Sequence, residues 1–294
     1  MIKQTLFFTT PARLSLKNKQ MLIELKGCDT VSSRPIEDIG FIVVENQAVT
    51  LTLPLLNELV RNNAAVVLCD ETLLPSAMLM CLDSNTTQAE SFRLQLGVGE
   101  PMKKQAWKQL VEAKIKNQAA MLRHAGKQGD LLKPHYQNVR SGDTDNREGA
   151  AARIYWGELF GKGFTRARDG GPPNNLLNYG YTILRAATAR ALAGSGLLPN
   201  FGIFHRNRYN AFPLADDVME PYRPFVDRIV AGLHADGTSE LDKDTKARLI
   251  RLLAADVRVG KVVRPLQIAL SMTTASIVRF YKGGTRKLSL PAMD

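Results

Sequence analysis

Asp83-Ser84-Asn85-Thr86-Thr87-Gln88 marks the point where the chain changes period. The run is polar and turn-forming, and the hydrophobic spacing differs on its two sides. Before it, 5–10, 13–16 and 20–26 are short segments rich in β-formers, with Lys17-Asn18 as a hairpin turn. Phe41-Ile42-Val43-Val44 and Val49-Thr50-Leu51-Thr52-Leu53 predict two more strands. Pro54 opens a helix that Asn62-Asn63 ends, and Ala65-Val66-Val67-Leu68-Cys69 is apolar throughout, as a strand buried on both faces would be. After it, the spacing predicts helices over 102–124, 147–161, 174–193, 213–232, 241–256 and 263–282, with Asn174 and Asp242 as caps. Residues 126–145 predict a loop, and 283–287 a frayed basic tail. The fold class read from this pattern is α+β: a small N-terminal β-rich domain (1–85), a linker (86–101) and a larger all-α C-terminal domain (102–294).

Charge separates the same two halves. Over 294 residues, 39 Lys and Arg against 28 Asp and Glu leave a net charge of +11. The first 90 residues carry 7 basic and 10 acidic side chains, net −3, so the remainder carries 32 and 18, net +14. An excess of this size on one half points to a polyanionic partner for that half, nucleic acid first among them. No run approaches the roughly 18 apolar residues of a membrane span. The opening MIKQTLFFTT lacks the long apolar core of a secretory signal. Cys28, Cys69 and Cys81 form no Cys-x-x-Cys pair, as expected of a protein in a reducing cytoplasm.

Three segments hold the candidate chemistry. Asp217 and Glu220, three residues apart, share one face of a helix. The spacing suits a cation held between them and equally an acidic first turn favoured by the helix dipole behind Pro213. Pro221 and Pro224 inside that helical pattern predict a fixed bend. His205 ends the apolar stretch Gly202-Ile203-Phe204 and enters the polar Arg206-Asn207-Arg208, whereas His124, His135 and His234 read as surface residues. Glu148 opens a helix with Ala151-Ala152 and Tyr155-Trp156 behind it. Two carboxylates and one imidazole from separate helices can hold a divalent cation with room for water and a phosphate oxygen. In a strongly basic region that set suits metal-assisted phosphoryl transfer better than acyl transfer. Among the aromatic residues, Tyr155, Trp156, Tyr179 and Tyr181 fit core packing better than base stacking.

These segments carry a resemblance. Asn146-Arg147-Glu148-Gly149-Ala150-Ala151 with Tyr155-Trp156, and Asn174-Asn175-x-x-Asn178-Tyr179-Gly180-Tyr181 with Leu184-Arg185, resemble the CRISPR-associated integrase of spacer acquisition. This is the universal adaptation protein family, Cas one in words. So do Gly202-Ile203-Phe204-His205 and the stretch from Leu214 through Asp216-Asp217-x-x-Glu220-Pro221-x-Arg223-Pro224. The four motifs stand in the family's order, and their flavour is that of type II systems, which travel with a single-protein effector nuclease. The resemblance implies that Glu148, His205 and Glu220 are ligands of Mg²⁺ or Mn²⁺ and catalytic. It implies that Asp217 is the extra acidic position, from which the sequence does not separate Asp216. It further implies a homodimer, two of which clamp a dimer of a small ferredoxin-like partner, Cas two, in a heterohexamer. The type II effector nuclease is a further expected partner.

The reaction so implied inserts short foreign DNA into a CRISPR array by 3′-hydroxyl attack on a phosphodiester at the repeat boundary. Its substrates are double-stranded protospacer and repeat DNA. At least one of Arg206, Arg208 and Arg223 is expected to contact a phosphate, with surface salt bridging the equal alternative; Lys103 and Lys104, in a series with Lys108, Lys114 and Lys116, suit tracking of the DNA backbone or a solvated face. A standalone structure-specific nuclease and a non-catalytic DNA-binding scaffold are the alternative readings.

Overall fold

The computed structural model describes residues 3–71, 74–79, 81 and 85–293. They fall into two compact units, Met1–Thr86 and Thr87–Asp294. The first contains β1 (Gln4–Phe8), β2 (Ala12–Lys17), β3 (Gln20–Leu25), β4 (Val31–Pro35), β5 (Ile39–Val44), β6 (Thr50–Leu51), α1 (Leu53–Arg61), β7 (Ala65–Cys69) and β8 (Pro75–Leu79). Among the described residues they form two four-stranded sheets, β1-β5-β7-β8 and β4-β3-β2-β6. The β2–β3 hairpin closes through Asn18 and Lys19, both at positive φ, in register Lys17 with Gln20. Two consecutive left-handed residues give the turn whose twist matches the strands it joins. Leu14, Met21 and Ile23 from one sheet meet Ile39, Ile42 and Val66 from the other, with Leu55 and Leu59 of α1, in a single core. β5 is buried along its whole length, as a central parallel strand must be.

β4 and β8 were not among the strands read from the sequence. Val31–Pro35 is exposed almost throughout, so no apolar alternation marks it, and its pairing to β3 is what makes it a strand. β8 is likewise an exposed strand, antiparallel to β7.

The second unit begins with α2 (Gln88–Gly97) and α3 (Glu100–His124), so the expected linker at 86–101 is largely helical; Asp83 and Ser84 of the turn-rich run lie outside the described residues. Ser91 and Gln95 are the buried face of α2, and a polar buried face leaves no apolar period to read. Gln95 fixes the loop after α6 (below): its amide donates to the carbonyls of Leu198 (2.9 Å) and Phe201 (3.2 Å) and accepts from the Leu198 N–H. α3, opened by Pro101, runs 25 residues through the unit and buries Trp107, Leu110, Val111, Ile115 and Leu122. Against it pack α4 (Lys133–Gln137), α5 (Arg147–Phe160), α7 (Pro213–Met219) and α8 (Arg223–Ala235), while α6 (Asn174–Gly194) packs on α7 and α8, α9 (Lys243–Ile250) on α6 and α8, and α10 (Leu266–Tyr281) on α6.

The helix expected over 213–232 is broken at Glu220–Tyr222 by a 3₁₀ turn that contains Pro221, and Pro224 sits in the first turn of α8 just after it. That turn is anchored on two sides. The buried Asn117 amide of α3 donates to the Pro221 carbonyl at 2.7 Å, and Tyr222 Oη meets Thr273 Oγ1 of α10 at 2.7 Å.

The second unit is mainly helical rather than all-α. β9 (Asp256–Val259), β10 (Val262–Pro265) and β11 (Pro291–Ala292) form a small antiparallel sheet where helix ends were expected. Gly260 at φ +61° turns the β9–β10 hairpin. The 283–287 segment is not frayed. Gln109 of α3 accepts from the Leu288 N–H and donates to the Arg286 carbonyl, and β11 pairs with β9. Of the two expected caps, Asp242 accepts from Thr245 N at 2.7 Å. Asn174 instead binds back to the preceding loop, through Ala167 N and the Thr165 carbonyl. Among the described residues no helix is long and apolar enough to cross a membrane.

Gly180 of α6 sits where α8 crosses it. A Cβ there would lie 2.5 Å from Val226 Cγ1, so Gly180→Ala overpacks the crossing and should cost about 1–3 kcal/mol. Urea unfolding of a double-mutant cycle with Val226→Ala, which removes the clashing methyl, should show strong favourable coupling. Strictly additive losses would contradict the close approach.

Candidate active site

Four segments of the helical unit converge. Glu148 enters from the first turn of α5, whose start is held by two side chains. Asn146 accepts from Gly149 N, and the buried Asp143 carboxylate accepts from the amides of Arg147 (2.8 Å) and Glu148 (3.1 Å). Carboxylate oxygens on free amides at a helix N-terminus fix that turn and the glutamate on it. Glu220 comes from the 3₁₀ turn and is buried. Lys114 of α3 lies between them, its Nζ 2.6 Å from Glu148 Oε1 and 2.5 Å from Glu220 Oε2. Arg223, one helical turn beyond Glu220, places Nε 2.9 Å from its other oxygen and lies over the Tyr181 ring at 4.6 Å.

Burial pulls the Lys114 ammonium towards neutrality, but Glu220 and Glu148 outweigh it and hold its pKa above the ordinary lysine value. Burial likewise opposes ionisation of Glu220. Arg223 and Lys114 reverse that and bring its carboxyl below the usual range. The cluster therefore holds two anions and two cations with little solvent around them.

His205 is positioned by Asp217. The fully buried Asp217 carboxylate accepts from the consecutive amides of Ile203 (2.6 Å), Phe204 (2.9 Å) and His205 (3.3 Å), and its Oδ1 is 2.5 Å from His205 Nδ1. Gly202 permits this approach: a Cβ there would lie 2.4 Å from the His205 carbonyl and 3.0 Å from Asp217 Oδ2. With Nδ1 tied to a carboxylate, Nε2 is the nitrogen left for chemistry. The hydrogen bond to Asp217 raises the His205 pKa despite partial burial, and the fields of Glu220 and Glu148 add to the rise. Trp107 supports the loop, stacked on Phe204 at 4.4 Å and edge-on to the His205 ring at 5.7 Å.

Asp216 and Asp217, inseparable in the sequence, diverge completely. Asp216 pairs with Arg185 through two oxygens (2.6 and 3.2 Å) and accepts from Asn210, so it ties α7 to α6 and the loop. Of the expected phosphate contacts, Arg206, Arg208 and Lys103 line a cleft of about 440 Å³ together with His205. Lys104 borders the neighbouring one. Arg206 is paired with Glu100 at the surface, and Arg208 lies over the Tyr209 ring. Arg223 is turned inward to Glu220. Lys114 leaves the series of surface lysines altogether, being buried at the carboxylates.

The aromatic residues form core rather than a stacking platform: Tyr155, Tyr179 and Tyr181 are buried, and Trp156 packs on Phe160 and Phe164. Tyr155 Oη and Tyr181 Oη both donate to buried Asp227, at 2.7 and 2.5 Å. Sequence reasoning missed this triad, Lys114 and Trp107.

The residues fit a divalent cation in chemistry but not as a finished cage. Glu220 Oε2 is buried and faces the Lys114 ammonium at 2.5 Å, an acceptor already turned towards positive charge. Two carboxylates and an imidazole are an ordinary donor set for Mg²⁺ or Mn²⁺. Yet among the described residues no three His, Cys, Asp or Glu side chains converge closely enough to enclose an ion, because Lys114 stands between the two glutamates.

A two-unit α+β chain with paired glutamates and an aspartate-oriented histidine beside a basic cleft has the character of a nucleic-acid-processing protein. Residues 6–252 match the family described as CRISPR associated protein Cas1. The chain is 40% identical over 265 residues to a CRISPR-associated endonuclease Cas1 of Neisseria meningitidis serogroup C (strain 8013), covering 88% of this chain and 85% of that one. Its fold is similar to that of a casposase bound to integration product, with a TM-score of 0.77, 18% identity, and coverage of 98% of this chain and 93% of the other. It is equally similar to a chain of a Cas6-RT-Cas1–Cas2 complex, with a TM-score of 0.77, 19% identity, and coverage of 100% of this chain and 37% of that one. The chain belongs to the Cas1 family of CRISPR-associated proteins.

Burial lifts the Asp227 pKa to about 6 although the Tyr181 and Tyr155 hydroxyls pull it down. Between about pH 4 and 6 the folded state then binds more protons at this carboxyl than the unfolded chain does, so its contribution to stability grows as pH falls. Relative to Asp227→Asn, the wild type should gain up to about 3 kcal/mol from pH 6 to pH 4 in paired urea titrations. A difference independent of pH would refute the raised pKa.

Proposed function

We propose that this protein is a metal-dependent DNA integrase and endonuclease that inserts short DNA into a CRISPR array by 3′-hydroxyl attack at the repeat boundary. The observation that carries the reading is the approach of Glu148 and Glu220, from two different elements, to one point of positive charge beside an oriented His205. Membership of the Cas1 family, the endonuclease name of the Neisseria relative and the integration product in the casposase structure support it.

Glu148, Glu220 and His205 Nε2 would hold Mg²⁺ or Mn²⁺. When bound, that ion would neutralise charge on the scissile phosphate and lower the pKa of the attacking oxygen. The chain's own groups prepare the ground for this. Asp217 keeps the imidazole in the tautomer that presents Nε2, Asp143 fixes the turn bearing Glu148, and Arg223 holds one Glu220 oxygen so that the other faces inward. Arg206, Arg208, Lys103 and Lys104 would draw the phosphate backbone to the cleft.

In the exchange the attacking 3′ oxygen forms a bond to phosphorus while the bond to the departing 3′ oxygen breaks. One hydroxyl proton is lost and one is regained, so no nucleotide cofactor is required. Cleavage of branched DNA is the same exchange run in reverse. We assign as partners protospacer and repeat DNA, a second copy of this chain and a Cas2-like protein in a heterohexamer, with the N-terminal unit as the surface for self-association. The assembly of the second structural relative, a Cas6-RT-Cas1–Cas2 complex, supports this, and the kinship with the Neisseria protein extends the proposal to a type II effector nuclease.

An integration assay with Mn²⁺, labelled protospacer ends and repeat-bearing plasmid tests the reading. Glu220→Ala should lower joining about a hundredfold or more, the scale of losing one preorganised electrostatic group, with Glu220→Gln as the folding control. Unchanged joining removes Glu220 from the mechanism. Duplex affinity should also fall steeply between 50 and 200 mM salt. Arg206→Ala and Arg208→Ala should each reduce the log–log slope by about one phosphate contact. An affinity flat with salt would deny the cleft a role in backbone binding.

A further inference from the structure

Lys114 occupies a core position on α3 with its side chain only 10% exposed, and its ammonium lies within 2.6 Å of carboxylates from two other elements. Both oxygens it meets belong to the glutamates that would ligate the metal. The other Glu220 oxygen is already held by Arg223, which in turn lies over Tyr181. The four groups are electrically balanced: two carboxylates, one ammonium and one guanidinium. A divalent cation entering between the glutamates would leave that balance at +2 while Lys114 stayed, and it would compete with the ammonium for the same two carboxylates. Of the two resident cations, the lysine is the one able to leave. It is a compact charge on a flexible four-carbon stem, whereas the planar guanidinium is fixed by its ion pair and its ring contact.

We propose that Lys114 is the resident counter-ion of this site, filling the place between Glu148 and Glu220 in the metal-free protein and withdrawing when the divalent ion binds. It thereby holds the unloaded site together and sets metal affinity by competition. This rests on the metal-dependent reading of the same site. It accounts for two observations together: a lysine inside the helical core, and a donor set of the right chemistry that does not close around an ion.

The test measures Mn²⁺ binding to the full chain without DNA, by the loss of the free-ion electron-spin signal, together with thermal melting. Lys114→Met and Lys114→Gln should bind Mn²⁺ at least tenfold more tightly than the wild type, while Lys114→Arg, which keeps the charge, should not. Without metal the two neutral variants should melt lower, on the order of 5–10 °C, and Mn²⁺ should restore more of that loss than it adds to the wild type.

Should a neutral variant fold only when purified with Mn²⁺, the proposal is upheld, and failure to fold even then overturns it. Mn²⁺ binding that is equal or weaker in the neutral variants also overturns it and leaves the metal-dependent reading standing, provided the wild type binds and Glu220→Ala does not. No binding by wild type or variant overturns both.

Discussion

The centre of the helical unit is an ionic cluster that ties together elements distant in the chain. Lys114 on α3, Glu148 on α5, and Glu220 and Arg223 around the 3₁₀ turn are mutually paired with little access to water. Each charge alone would be costly to bury, and each is set against an opposite charge. The elements that carry them are accordingly pinned by hydrogen bonds that do not depend on the charges. Asn117 and Tyr222 hold the turn, and Asp143 holds the start of α5. The site is rigid because its supports are neutral or backbone-directed, and its charges are free to respond to what enters.

A second polar layer lies behind the first. Asp227 receives both tyrosine hydroxyls, and the Arg223 guanidinium stacks on one of those tyrosines. The arginine is thereby positioned from behind by a ring and from the front by a carboxylate. Of the aromatic residues that accompany the acidic motifs, Tyr155 and Tyr181 serve this positioning and are buried in the core.

How much of this was legible in the sequence depended on whether a feature advertises itself through apolar spacing. The long helices, the Lys17-Asn18 turn and the proline-fixed bend are written in residue pattern. Glu148, His205, Asp217 and Glu220 were picked out by motif, and the structure gathers them in one region. Exposed β4, polar α2 and the short β9–β11 sheet were not legible, because pairing or side-chain hydrogen bonds create them rather than burial of apolar residues. Lys114 was read as one more surface lysine. Its signal was present: it falls on the stripe Trp107, Val111, Gln118, Met121 at helical spacing, all of it buried. A charged residue on such a stripe needs a buried partner. Arg223 stands three residues after a glutamate, a position that suits an ion pair as well as a phosphate contact, and it makes the ion pair.

The cradle of three successive amides around Asp217 has an evolutionary corollary. Because Asp217, itself held by those amides, aligns the imidazole, the exposed side chains that follow, Arg206 to Tyr209, stand outside that alignment. Those side chains can be exchanged without moving the ring. A fixed imidazole and a replaceable surface tip thus lie within fewer than ten residues of one another.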